Sequence, residues 1–138
     1  MADQSTKFSF SEIRLGLTAA TISPHVIRAI GPRWAKALFM TGETFNGTYA
    51  ERMGLVHYTI ENDEQMLEMK QYLISLVLSS APGAIADSKR LVLDLSNEPL
   101  GEALNIETAK RISQRRSSDE GKKGIAAFLE KRTPDWTL

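Results

Sequence analysis

Cysteine is absent from the 138 residues, which excludes disulfides and thiolate nucleophiles and fits a reducing compartment. Histidine occurs twice; His25 and His57 have no partner at metal-ligand spacing, so a surface or partly packed role outweighs a metal site. Net charge is missing as well. The 17 basic and 17 acidic side chains cancel, leaving no global pull toward nucleic acid or an anionic membrane. No apolar run reaches the ~18 residues that span a bilayer. The polar lead from Met1 to Lys7 lacks the apolar stretch of a signal peptide, and a cytoplasmic location is expected. There is no G-x-S-x-G elbow, phosphate-binding P-loop or G-x-G-x-x-G turn. Repeats, linkers and low-complexity tracts are lacking too.

What remains is ordinary for a globular chain: 42% hydrophobic and 25% charged residues, enough for one domain. Lys7–Ser11 alternates as K-F-S-F-S and suits a short half-buried strand, and a loop follows at Leu15-Gly16-Leu17. Ser23-Pro24 can cap and open a helix that Gly31 closes. Pro32 opens the next, ending near Thr41-Gly42. Asn46 can cap a short helix ending at Met53-Gly54, and Leu55–Ile60 is β-rich. From Asp63 onward only helices are expected. One carries Met66, Met69, Leu73 and Leu76 up to Pro82, one runs from Pro82 to about Leu95, and one starts at Pro99. A last one follows Ser117-x-x-Glu120, which has the form of a capping box. The fold class expected is therefore mainly α with two short β-strands. Two such strands, far apart in sequence, make a poor sheet by themselves, and this points to missing structure.

Few side chains suggest chemistry. Glu61, Asp63 and Glu64 fall at a strand-to-helix turn, where acidic groups favour the helix start. Lys110, Arg111, Arg115, Arg116, Lys122 and Lys123 form a basic stretch. Asp119 and Glu120 interrupt it and no aromatics interleave, so a solvated helix face outweighs nucleic-acid binding. Glu12 differs, because it stands where a strand ends and a carboxylate there can face a cleft and move a proton. Spacing alone does not separate that role from the common one of a lone glutamate at a strand end.

Four segments in order carry a resemblance. Ser11-Glu12-Ile13-Arg14-Leu15-Gly16-Leu17 comes first. Thr41-Gly42-Glu43 with Tyr49-Ala50-Glu51-Arg52-Met53-Gly54-Leu55-Val56 comes second. Ala84 through Lys89 is the third, and Glu120-Gly121 with Gly124 through Arg132 the fourth. Together they resemble the P-E-[IV]-x-L-G-L, L-T-G-E, A-x-x-x-x-K and E-K-R segments of the enoyl-CoA hydratase/isomerase (crotonase) family. Ala20-Thr21-Ile22-Ser23-Pro24 replaces a more glycine-rich stretch and is similar to the branch that includes methylglutaconyl-CoA hydratases.

The resemblance implies a chain about half the family's usual length. Family members have a spiral of ββα repeats followed by a helical C-terminal region, and assemble as trimers or dimers of trimers. Residues 1–60 would then be the end of the spiral with the helices after it, and 61–138 the helical region, in a single truncated domain. It also implies an acyl-CoA thioester as substrate, no resident cofactor, and two backbone N–H groups on the thioester oxygen. Glu12 corresponds to the second of two catalytic glutamates. Phe128 and Lys131 correspond to positions that meet the coenzyme A of a neighbouring subunit, the ammonium suiting a phosphate. No counterpart of the first glutamate, the adenine-binding loop or the oxyanion amides is present.

Two readings follow from that inventory. Either a separate N-terminal half completes the enzyme, or the chain is a non-catalytic module that self-associates. The module would use Ile13, Leu15, Leu17, Val26, Ile27 and Ile30 as contacts. DNA binding is a distant third reading, and neither nucleic acid nor a membrane is an expected partner.

Overall fold

The computed structural model describes residues 1–137. It is mainly helical, as expected, and it separates into two compact units, Met1–Met69 and Lys70–Leu138.

In the first unit, the strands are two-residue ladders. β1 (Ala2–Asp3) pairs in parallel with β4 (Thr59–Ile60), and β2 (Phe8–Ser9) pairs antiparallel with β3 (Thr44–Phe45). β2 and β4 fall inside the two segments with strand character. Their partners carry no periodic signal, because two residues are too few to show one. The end of β1 leaves no room beside Gly47, where an added Cβ would collide with the Asp3 carbonyl.

Helix α1 (Ser23–Thr41) is two helices in one axis-broken run. Gly31, at φ 74 and ψ 164, interrupts it just before Pro32, so the stop and start signals read from these two residues hold. Its first turn departs slightly from expectation. Ser23 is already helical behind Ile22, with no side-chain cap, and its hydroxyl donates to the Ala20 carbonyl instead. α2 (Gly47–Arg52) is capped by Asn46, which accepts from the Tyr49 amide at 3.0 Å.

These pieces close over one apolar cluster: Phe10, Val26, Ile30, Ala35, Leu38, Phe45, Ala50 and Met53. Aromatic pairs tie it together. Phe8 stacks on Phe45 at 5.6 Å, and Phe10 meets Phe39 edge-on at 5.1 Å; such pairs add about 0.5–1.5 kcal/mol beyond area burial. Val26 and Ile30 belong to this core, so they are not available as the intermolecular contacts they were expected to be. Ile13, Leu15, Leu17 and Ile27 are exposed.

α3 (Asp63–Leu78) starts behind Asn62, whose Oδ1 accepts from the Gln65 amide at 2.9 Å. Asp63 and Glu64 lie in its first turn, in keeping with a helix-favouring role.

The second unit holds α4 (Pro82–Leu95), α5 (Glu102–Ser117) and α6 (Asp119–Leu129). α5 begins three residues after Pro99, behind Gly101, and Leu100 is 95% exposed. The capping box read at Ser117-x-x-Glu120 is displaced. Ser118 is the cap and accepts from the Gly121 amide at 3.0 Å, while the Glu120 side chain leaves its own helix. Among the described residues of this unit only Ala127 is fully enclosed. Charge links the helices where apolar burial does not. Arg111 of α5 pairs with Asp94 and Glu107, each at 2.8 Å, so part of the basic stretch is spent inside the fold. None of the described helices is long and apolar enough to cross a membrane.

Two measurements check this arrangement. Leu38 has no exposed surface, so Leu38→Ala is expected to lower stability by about 2–5 kcal/mol, read by urea unfolding. At the surface, the Ser5 hydroxyl and then the Ser5 amide donate to the Asp3 carboxylate and hold its pKa below the ordinary value. A depressed carboxylate contributes fully above the unfolded pKa of about 3.9. The contribution is lost as pH falls through the lower folded value. An NMR titration should therefore show the Ser5 amide shift moving at a pH below that of a free aspartate.

Candidate active site

Glu12 sits on a 3-10 turn, Ser11–Leu15, that Gly16 closes in the left-handed region (φ 72). The turn follows directly on Phe10, which is anchored in the core. Its other side rests on Gly42, at the C-terminal end of α1. A Cβ there would come within 2.9 Å of Ile13 Cγ2, so only glycine lets the turn approach this closely. The Arg14 guanidinium and the Ser9 hydroxyl both donate to the Gly42 carbonyl, at 3.2 and 3.3 Å. The turn that carries Glu12 is therefore held by its neighbours, and the Glu12 carbonyl helps close it by accepting from the Leu17 amide at 3.0 Å. The Glu12 Oε2 is buried without a hydrogen-bond partner in the chain, an arrangement that costs roughly 1–3 kcal/mol for a polar atom.

Phe128 and Lys131 come together at the end of α6. Phe128 is 81% exposed although aromatic. Lys131 is exposed too and adopts φ 54, the one left-handed non-glycine among the described residues. Its amide donates to the Phe128 carbonyl at 3.2 Å, and the Arg132 amide donates to the Ala127 carbonyl at 3.0 Å. This is a Schellman turn with lysine where glycine is usual. The turn sends the tail back along α6, where Trp136 lies 2.9 Å from the position of a Cβ on Gly124. Glu12 belongs to the first unit and the Phe128–Lys131 pair to the second.

His25 and His57 are exposed, and among the described residues no three His, Asp or Glu side chains cluster as metal ligands. Sequence reasoning named Glu12 as a candidate but not the residues on which its turn rests, Ser9, Arg14 and Gly42. Gly42 signalled a helix end, which it is; nothing local in the sequence shows that its missing side chain also receives Ile13.

The fold is the crotonase fold, and the chain corresponds to the C-terminal half of it. It superposes on Pseudomonas aeruginosa AtuE with a TM-score of 0.92 and 32% identity, covering 99% of this chain and 52% of that one. An enoyl-CoA hydratase from Shewanella pealeana gives 0.88 and 35%, covering 98% and 49%. The crotonyl-CoA hydratase of Syntrophomonas wolfei is 30% identical over 133 residues, 96% of this chain and 50% of that protein. The family model for enoyl-CoA hydratase/isomerase matches residues 1–138, so the chain belongs to that family. It spans about half the length of the curated relatives it matches.

The left-handed lysine gives a direct check. The conformation costs an L-residue about 1–2 kcal/mol, against roughly 0.5–1 kcal/mol of extra unfolded-state entropy for glycine. Lys131→Gly is therefore expected to stabilise the chain by about 0.5–1 kcal/mol in chemical unfolding.

Proposed function

We infer that this chain supplies an acid/base carboxylate to one enoyl-CoA hydratase/isomerase site and a coenzyme-facing helix end to the site of a neighbouring subunit, and that it has no independent catalysis. Glu12 is the carboxylate, and Phe128 with Lys131 is the helix end. The single observation that carries this reading is the buried, unpartnered Oε2 of Glu12. A carboxylate oxygen left without a donor is held for one that arrives, and a water adding to an enoyl thioester is such a donor.

In this mechanism Glu12 exchanges a proton with the water that adds across the α,β-double bond. The negative charge that develops on the thioester oxygen needs backbone N–H donors. In this reading those donors, and the first glutamate, belong to the N-terminal half of the fold, outside these 138 residues. The Lys131 ammonium pairs with a coenzyme A phosphate, and Phe128 offers a face for the adenine. Each missing oxyanion donor removes about 10²–10³ in turnover, and a missing acid/base group a further ~10²–10⁴. The chain alone should therefore fall at least ~10⁴ below a complete hydratase.

A second reading, a non-catalytic self-associating module, has its own support in the exposed Leu15, Leu17 and Leu100, since apolar patches of this kind find partners.

The test is a crotonyl-CoA hydration assay on the purified chain, alone and after mixing with the N-terminal half of a family relative. The expected result is no turnover alone and hydration on mixing. Glu12→Gln in the mixture is expected to lower kcat by ~10²–10⁴. Hydration by the chain alone at a rate typical of a complete hydratase would overturn the reading. A homo-oligomer by light scattering that stays inert in every pairing would favour the module.

A further inference from the structure

α4 begins with no cap of its own. Its N-cap residue is Ala81, with no side-chain acceptor, and Pro82 at the first position has no N–H. The first free amides are those of Gly83 and Ala84, and both donate to one carboxylate of another helix. Gly83 N–H reaches Glu120 Oε1 and Ala84 N–H reaches Oε2, each at 3.0 Å. Glu120 of α6 thus caps α4 from outside, at the end of the helix where a negative charge is favoured.

The same carboxylate is paired with the Arg115 guanidinium of α5, whose other nitrogen reaches Asp87 of α4 at 3.0 Å. Arg115 and Glu120 each keep only about a quarter of their side-chain surface exposed, which strengthens a charged hydrogen bond relative to one in open water. Glycine makes the approach possible. A Cβ on Gly83 would lie 2.6 Å from the Arg115 guanidinium, and one on Gly121 would run into the Arg115 carbonyl. The Arg115 carbonyl also accepts from the Ser118 hydroxyl at 2.7 Å. Three helices therefore meet at one junction.

We propose that Glu120 is the positioning residue for the Phe128–Lys131 helix end, because its capping of α4 together with Arg115 fixes the direction in which α6 points. This rests on the reading of Phe128 and Lys131 as the coenzyme-facing pair. Apolar packing is a weak rival for the task, with Ala127 the only fully enclosed side chain described in the unit. Glu120 touches no reacting atom; it acts through α6, whose far end carries the two residues.

The lack of cysteine permits a clean test. Spin labels on Arg90→Cys in α4 and Leu129→Cys in α6, both exposed, should give one narrow distance distribution in the full chain. Glu120→Gln should broaden or move it, and Glu102→Gln, outside the junction, should leave it unchanged. Coenzyme A binding, measured by calorimetry with coenzyme A itself, should weaken roughly tenfold in Glu120→Gln, within the range for residues that act on a site through packing. In the complemented enzyme the same variant should raise KM and spare kcat, the opposite of Glu12→Gln. Should Glu120→Gln not fold, Gly83→Ala, which dislodges Arg115 from the junction, takes its place. A folded variant that keeps the narrow distribution overturns the proposal, as does a shifted distribution with unchanged coenzyme A affinity. If the unsubstituted chain binds no coenzyme A, the functional reading of Phe128 and Lys131 fails, and the label distances still decide whether Glu120 sets the direction of α6.

Discussion

Glu12 owes its position to the contact of its 3-10 turn with Gly42. Phe10, immediately before the turn, is buried among Phe39, Phe45 and the inner face of α1. Ile13, on the turn itself, fills the space that a side chain at Gly42 would take. The apolar core thus anchors the turn, while the Glu12 Oε2 is left without a donor. An exposed glutamate solvates itself freely, and a paired one is satisfied; this one is fixed and unsatisfied at one oxygen. Such an arrangement destabilises the folded chain slightly, and the core offsets it.

The two units hold together by different means. The first has a continuous core in which aromatic pairs and α1 side chains interlock. The second has long amphipathic helices whose apolar residues, including Val92, Leu93, Ile106 and Ile112, stay exposed. There, partly buried charge sets geometry: Arg111 ties α5 to α4, and Arg115 with Glu120 ties all three helices. Isolated surface ion pairs contribute little. A shared network that also satisfies two helix-end amides contributes more, because those amides have no other acceptor. Exposed apolar surface on this scale fits a chain of about half its relatives' length, whose helices in a longer protein have more to cover.

Local signals carried most of the helices. Gly31-Pro32 breaks α1, Asn46 caps α2 and Pro82 opens α4, because backbone freedom and missing N–H groups act within a turn of the residue itself. The same locality explains the misreadings at Ser117 and Pro99. A serine pair offers two candidate caps, and a proline two residues before a glycine can sit in the preceding turn. The strand partners β1 and β3 were invisible because a two-residue ladder leaves no periodicity.

The sequence by itself determined the helical class, the helix boundaries set by proline and glycine, the absence of thiol and metal chemistry built on cysteine, and Glu12 as the carboxylate to watch. Only the tertiary structure decided that Val26 and Ile30 are core, that Glu12 Oε2 has no donor, that Lys131 is left-handed, and that Glu120 caps a helix other than its own. The physical reason is range. Propensities and caps are fixed by neighbours within a few positions, whereas satisfaction of a buried oxygen or a foreign helix end depends on atoms brought close from dozens of residues away, as Gly83 and Glu120 are, 37 positions apart.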